Sequence, residues 1–437
     1  MRREKDSLGE VEIPEESSYG SQTCRAVMNF PMQGTSSPTV LINNVICVLG
    51  AIAQVNMSQG RWSEGLVRAY SNAATALLSD EAKQDVIVGV FQDTSGRNLV
   101  ANINEVLCNK AVCSLGGAYG DYYLTEPLWR LESQYPYDAI FVCACWMSVI
   151  EQMPIVSANA DHLHQVWKSK LDDFAGVLKV KRFQLQDVGS IDTLEEVKVI
   201  TAGFEALATK LQLFYEDLWQ YELLDKSVIE VIFDKKLFEI NKSSTRKEPC
   251  KVYPHFIEEM SRLFKESALR FMQLAQYIRI AVSGPTSGIG ELTLAQIEQG
   301  WPLHPKSVIL SGPEILSQIA FRLLGAETTI SAAVSAQTSG PMSYLPVICS
   351  ELLFGMNLIA SGYVVATDKC VLLLKPALKK CRENIEKSSV LASELAKIVG
   401  HERAVQAAKL ASLTDRPLQE VIIKMKLLTA EQIKQIF

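Results

Sequence analysis

Apolar residues recur at three and four spacing over long stretches of this chain, a period that predicts a mainly helical protein. Within roughly the first 130 residues, "PTVLINNVICVLGAIAQVN" and "LVRAYSNAATALLS" read as helices set in turn-rich text. From about 195 to 235, 254 to 283, 312 to 335 and 343 to 375, Gly and Pro are few and the helical period persists. In "HFIEEMSRLFKESALRFMQLAQYIRIAV", Phe256, Met260, Leu263, Phe264, Leu269, Phe271, Met272 and Ile278 cover a wide face, with Glu, Lys and Arg on the remainder. Such lengths predict an elongated bundle that buries further apolar surface against other subunits.

Two non-helical segments interrupt this text. "SGPTSGIGELT" (Ser283 to Thr293) runs into "GWPLHPKSVI" (Gly300 to Ile309), so about 283 to 312 is expected as one long loop, and long loops on helical scaffolds usually carry function. The tail after about 373 holds short helices separated by Gly400 and Pro417. The division expected is an N-terminal domain over 1–130, a central bundle over 131–372 and a small helical domain over 373–437.

Composition narrows the function classes. Apolar residues make up 48% of the chain, ample for a large core, and a net charge of −6 with interspersed signs leaves no basic stripe for nucleic acid or an anionic membrane. The ten cysteines show no zinc-like doublets, and Cys143 and Cys145 in "IFVCACWM" read as buried thiols, consistent with a reducing compartment. The N-terminus is charged and lacks a secretory apolar region, and runs such as "DAIFVCACWMSVI" are too short to span a bilayer, so a cytoplasmic protein is expected. Trp146, Trp167 and Trp219 read as core, and the acid pairs Asp172-Asp173 and Glu195-Glu196 as solvated faces. No phosphate loop, dinucleotide fingerprint or zinc spacing occurs, so neither cofactor nor metal is expected.

Several segments are more specific. "EKDSLGEVEIPEESSYGSQTCRAVMNFP" (Glu4 to Pro31), "FQDTSGRNLVANINEVLCNKA" (Phe91 to Ala111), "RFQLQD" (Arg182 to Asp187), "SGPTSGIGE", "ATDKCV" (Ala366 to Val371) and the tail "ENIEKS…LLTAEQI" occur in the order found in class II fumarases and aspartate ammonia-lyases. The chain resembles that family from end to end. The resemblance implies three mostly helical domains, a central long-helix bundle forming a homotetramer, and active sites assembled from three subunits. It also implies anti β-elimination on a small dicarboxylate, in which a loop serine takes the Cβ proton and a web of hydrogen-bond donors stabilises a doubly charged transition state.

The departures from the family pattern fall on that web. Where the family has G-S-G-T this chain has Thr94-Ser95-Gly96-Arg97, so Ser95 survives and Arg97 stands for a substrate-binding threonine. Arg97 reads either as a bidentate clamp for an anion or as a solvated loop residue. In the second loop Ser133, Gln134 and Asp138 align with a one-residue gap, while Tyr135, Pro136 and Tyr137 replace the S-S/T-N triplet. Phe183 replaces a threonine, and Gln184 is the aspartase-like choice where fumarases keep histidine. In the family's serine loop, Gly300, Pro305 and Val308 hold the register and Glu314 matches a glutamate downstream. Trp301 and Pro302 replace both serines, Ser307 replaces the binding lysine with Lys306 one place early, and Ile309 replaces the binding asparagine.

Two readings are open. In the first, a rebuilt pocket lined by Trp129, Tyr135, Tyr137, Phe183, Trp301, Leu303 and Ile309 takes a larger, less charged substrate through elimination, conjugate addition or ring closure. His304, Gln184 and Glu314 are then the candidate catalytic residues, with Ser95, Arg97, Tyr137, Phe183, Trp301 and Lys306 binding substrate; a histidine is the side chain on this loop best suited to proton transfer. In the second, the chain is an inactive homologue serving as a structural or regulatory subunit. Both lack the serine base, so fumarate hydration and aspartate deamination, followed by fumarate absorbance, are expected at background rate.

Overall fold

The computed structural model of the protein describes residues 1–31, 36–79, 83–129, 131–187, 191–193, 195–219, 223–236, 255–284, 286–300, 302–304, 307–336, 343–388, 390–429 and 432–433. The chain opens with an antiparallel hairpin, β1 (Arg2–Asp6) and β2 (Gly9–Ile13), followed by α1 (Ser21–Asn29), α2 (Thr39–Ser58), α3 (Glu64–Ser79), α4 (Arg97–Ser114) and α5 (Glu126–Trp129). Next come α6 (Tyr137–Phe174), the short pair β3 (Lys179–Val180) and β4 (Ile191–Asp192), α7 (Glu195–Leu218), α8 (Lys226–Lys236) and α9 (His255–Ala281). β5 (Leu292–Leu294), α10 (Ser311–Ser335) and α11 (Leu345–Val364) precede β6 (Leu374–Pro376), which pairs with β5. The short helices α12 (Leu378–Lys387), α13 (Leu391–Val399), α14 (His401–Thr414) and α15 (Leu418–Lys424) complete the order.

The described residues are predominantly helical, as the period predicts. The helical stretch expected over about 195 to 235 is made of two helices, α7 and α8. α11 passes into a π-helical turn, Val365–Cys370, so "ATDKCV" occupies wider-wound backbone of the kind often found at functional sites. The bilayer expectation also needs correction. "DAIFVCACWMSVI" belongs to the 38-residue α6, and α2, α6 and Leu345–Leu373 are each long and apolar enough to cross a membrane by length and composition alone. Those windows are 72%, 72% and 50% buried within the protein, so the apolar residues of α2 and α6 serve chiefly as core.

The chain divides into two compact units. The first comprises 1–157, 210–265 and 322–359. α4 is its spine, packed by α1, α2 and α3, while α8 packs on α2. Every residue of α4 from Leu99 to Asn109 is buried, including Asn102, Asn104, Glu105 and Asn109. Polar side chains in such a place need partners. Asn102 accepts from the Ile87 and Val88 amides and donates to the Asp85 carbonyl. Asn104 accepts from the Tyr70 hydroxyl and donates to the Leu128 carbonyl. Asn109 donates to the Ser18 carbonyl and accepts from the Gly120 amide. Glu105 accepts from the amides of Gly20, Gln22 and Thr23 and from the Thr23 hydroxyl at 2.6 Å. Burial pushes the Glu105 carboxyl up from its ordinary pKa, while those bonds act in the opposite direction. Trp146 is buried and donates to the Leu218 carbonyl, in line with its reading as core.

The second unit comprises 158–209, 266–321 and 360–437. Phe271 lies between Phe204 and Tyr363, with ring centroids 6.4 Å and 5.1 Å away, and Trp167 is fully buried. The C-terminal helices share one core, in which Leu391, Leu395, Ala407, Val421 and Ile422 meet Val180. Gly400 separates α13 from α14 with a φ of +91°, as its role as punctuation predicts.

At the start of α4, Gly96 has a φ of +78°, and a Cβ there would fall 2.2 Å from a ring carbon of Phe141. Gly96→Ala is expected to cost about 2–5 kcal/mol, the sum of a left-handed backbone and overpacking. Glu105→Ala orphans several buried amides and should cost at least about 3 kcal/mol, with Glu105→Gln milder because it keeps an acceptor. Urea unfolding of each variant checks both figures.

Candidate functional site

The sequence-predicted residues are divided between the two units: the turn before α4 in one, and in the other the β3–β4 turn and, apart from it, the long loop leading into α10. The first locus is the turn before α4. An α-helix begins with unpaired amides, and here side chains fill them: the Arg97 and Asn98 amides donate to Asp93 at 3.2 Å and 2.9 Å, and the Leu99 amide donates to Gln92 at 2.8 Å. Asp93 also accepts from the Ser95 hydroxyl at 2.7 Å. The Leu345 amide donates to the Thr94 carbonyl, fixing the turn against the start of α11.

Arg97 resolves into neither of its two sequence readings in simple form. Its guanidinium grips Glu132 with two parallel contacts, Nε to Oε1 at 2.9 Å and Nη2 to Oε2 at 3.1 Å, with the side chains 52% and 41% exposed. Tyr137, expected as pocket lining, is buried; its hydroxyl accepts from Asn104 at 3.2 Å, and burial raises its pKa well above the ordinary phenol range. Tyr135 is likewise buried. Beside this locus, Ala26, Val27, Phe30, Ile87 and Phe91 line an apolar cavity of about 200 Å³.

The second locus lies in the other unit, between β3 and β4. Phe183 and Gln186 exchange backbone hydrogen bonds at 3.0 Å and 2.9 Å, closing a tight turn whose tip is Gln184 and Leu185. Both tip residues are left-handed, with φ of +49° and +63°, a conformation that side chains other than Gly, Asn and Asp adopt at a cost. The turn presents Gln184 and Phe183 outward.

A buried ion network anchors it. Arg182 donates to Asp187 at 3.0 Å and to Glu291 at 2.8 Å; Glu291, only 2% exposed, also accepts from Asn384 at 3.1 Å. Lys179 lies 3.8 Å from Glu291 and 2.7 Å from Glu196. Glu196, expected on a solvated acidic face, is therefore an ion-pair partner of a buried lysine. Opposed charges at this depth hold because each neutralises the other. Arg182, Gln184, Glu196, Tyr277, Ile280 and Leu292 line a cavity of about 320 Å³ here, and burial beside Glu196 and Glu291 raises the Tyr277 phenol pKa.

The long loop of the same unit turns tightly at Ser283, where a Cβ on Gly288 would sit 2.3 Å from the Ser283 carbonyl oxygen. Its continuation places Leu303, 88% exposed, and His304 in solvent, and the Ser307 amide donates to the His304 carbonyl at 2.9 Å. Val308 and Leu310 line a cavity of about 340 Å³ with Val282, Leu292 and Lys380. Glu314 is exposed on the first turn of α10. Trp301, Pro305 and Lys306 lie outside the described residues, as do the side chains of Trp129 and Ser133. Asp93, Glu132 and the Lys179 network were not singled out from the sequence; an Asp shortly before a helical run was the one local signal for any of them.

No family model matches the chain. It is 26% identical to an aspartate ammonia-lyase of Bacillus sp over 455 aligned positions, covering 100% of this chain and 96% of that protein. It is 26% identical to a class II fumarate hydratase of Wigglesworthia glossinidia brevipalpis, covering 99% and 96%. Among solved structures it is similar to the fumarate lyase:delta crystallin protein of Brucella melitensis in its native form, with a TM-score of 0.85, 25% identity, and 97% and 99% of the two chains covered. Likeness that runs the full length in sequence and in fold supports the aspartase/fumarase superfamily for this chain.

Proposed function

We propose that the protein is a lyase-type enzyme of this superfamily with a remodelled site, acting by elimination, conjugate addition or ring closure on a substrate larger and less charged than fumarate or aspartate. One observation carries the reading. At the loop where the family resemblance locates a carboxylate site, the two retained or replaced polar side chains, Ser95 and Arg97, are already engaged by acids of the same unit, Asp93 and Glu132. A dicarboxylate entering there competes with two fixed carboxylates. The exposed Leu303 and His304 on the family's base loop support the same direction, since they offer an apolar contact and an imidazole in place of serine hydroxyls.

In this reading His304 moves the proton, Gln184 orients the substrate from its strained turn, and Glu314 lies downstream on α10 as a second acid–base candidate. Phe183, Trp301 and Lys306 complete the binding set. The protein works without a metal or organic cofactor, as a cytoplasmic homotetramer with sites built from several copies. Exposed apolar side chains on the long helices, among them Ile155, Leu213, Leu269, Phe321 and Phe354, support assembly, because single chains seldom leave so many in water.

The test is turnover by the full-length oligomer against a library of aromatic and polyunsaturated acids, beside fumarate and aspartate. Activity on a library member should fall by about 10²-fold or more in His304→Ala, the usual scale for a lost general acid–base group. Fumarase- or aspartase-like rates, or binding and turnover absent across the whole library, would overturn the reading.

A further inference from the structure

We infer that Glu132 is a specificity-determining residue: by occupying the Arg97 fork it makes the mouth of α4 repel carboxylates, so that the substrate end bound there carries no negative charge. This rests on the proposed ligand site and adds which chemical group that site refuses. The geometry is closed on three sides. Arg97 faces Glu132 through both Nε and Nη2, the arrangement in which a guanidinium would grip a ligand carboxylate. The amides that make a helix N-terminus a ready anion cradle are already bonded, those of Arg97 and Asn98 to Asp93 and that of Leu99 to Gln92. The Ser95 hydroxyl donates to Asp93 as well. The locus therefore sets two carboxylates, Asp93 and Glu132, against one guanidinium.

Stability gives little reason for such a pair. An ion pair this exposed contributes about 1 kcal/mol or less to folding. Its consequence lies in recognition, where a like charge placed against the wrong ligand is the ordinary means of excluding it. An incoming anion must displace Glu132 from Arg97 and remain beside it, whereas an amide, hydroxyl or ammonium group meets acceptors ready to receive it.

Succinate, which cannot react by elimination, is the probe, titrated calorimetrically at low ionic strength into the full-length oligomer. Glu132→Gln keeps the shape of the side chain and frees the guanidinium, and it is expected to bind succinate about tenfold more tightly than the unaltered protein. The double variant Glu132→Gln with Arg97→Ala should lose that gain, assigning it to Arg97. Succinate affinity unchanged by Glu132→Gln, or a gain that persists in the double variant, would overturn the inference. The comparison reads binding alone, so it stands or falls separately from the turnover screen.

Discussion

Four polar side chains on a helix without a wet face, Asn102, Asn104, Glu105 and Asn109, constrain everything around them. Burying an amide or carboxylate without partners costs more than most single contacts return, so each must be met at hydrogen-bond distance. The partners are the hydroxyls of Tyr70 and Thr23 and backbone groups at 18, 85–88 and 120, at the start of α1 and at 128 in α5. Loop residues and the ends of short helices are thereby held to one helix. The turn carrying Ser95 and Arg97 opens directly from that helix, so its geometry inherits the rigidity of the core.

The helices were largely legible because a period of three and four survives wherever a face is buried, as in α2, α3, α9 and α10. The separation between α7 and α8 has no Gly or Pro to announce it. At the site, the frame segments located Ser95, Gly96, Gln184 and Glu105 by their order along the chain. Their contacts were not legible. Glu132 lies 35 positions from Arg97, and Glu291 lies 109 from Arg182, separations at which pairing is a property of the folded chain alone. Tyr137 illustrates the same limit, since an aromatic residue in a polar frame reads as exposed lining until packing puts it inside.

The two loci hold their polar side chains by opposite means. Before α4, amides and hydroxyls converge on Asp93 and the backbone is relaxed apart from Gly96, which can adopt its φ without strain. At Gln184 the backbone itself is held in a costly conformation, and the Arg182, Glu291 and Asn384 network beneath supplies the fixed base that such a turn requires. A side chain projected from a strained turn over a buried ion network has few alternative positions, which is useful for orientation and poor for tolerance of substitution.

The bonds from Glu105 and Asn109 to residues 18–23 span 82 to 91 positions. During synthesis, therefore, the hairpin of β1 and β2 leaves the ribosome long before the helix that secures the neighbouring segment. Contacts this distant are slow to close and leave earlier segments waiting. The beginning of the chain cannot reach its final state until α4 has been made, so its first thirty residues remain open to solvent and to other chains while translation proceeds.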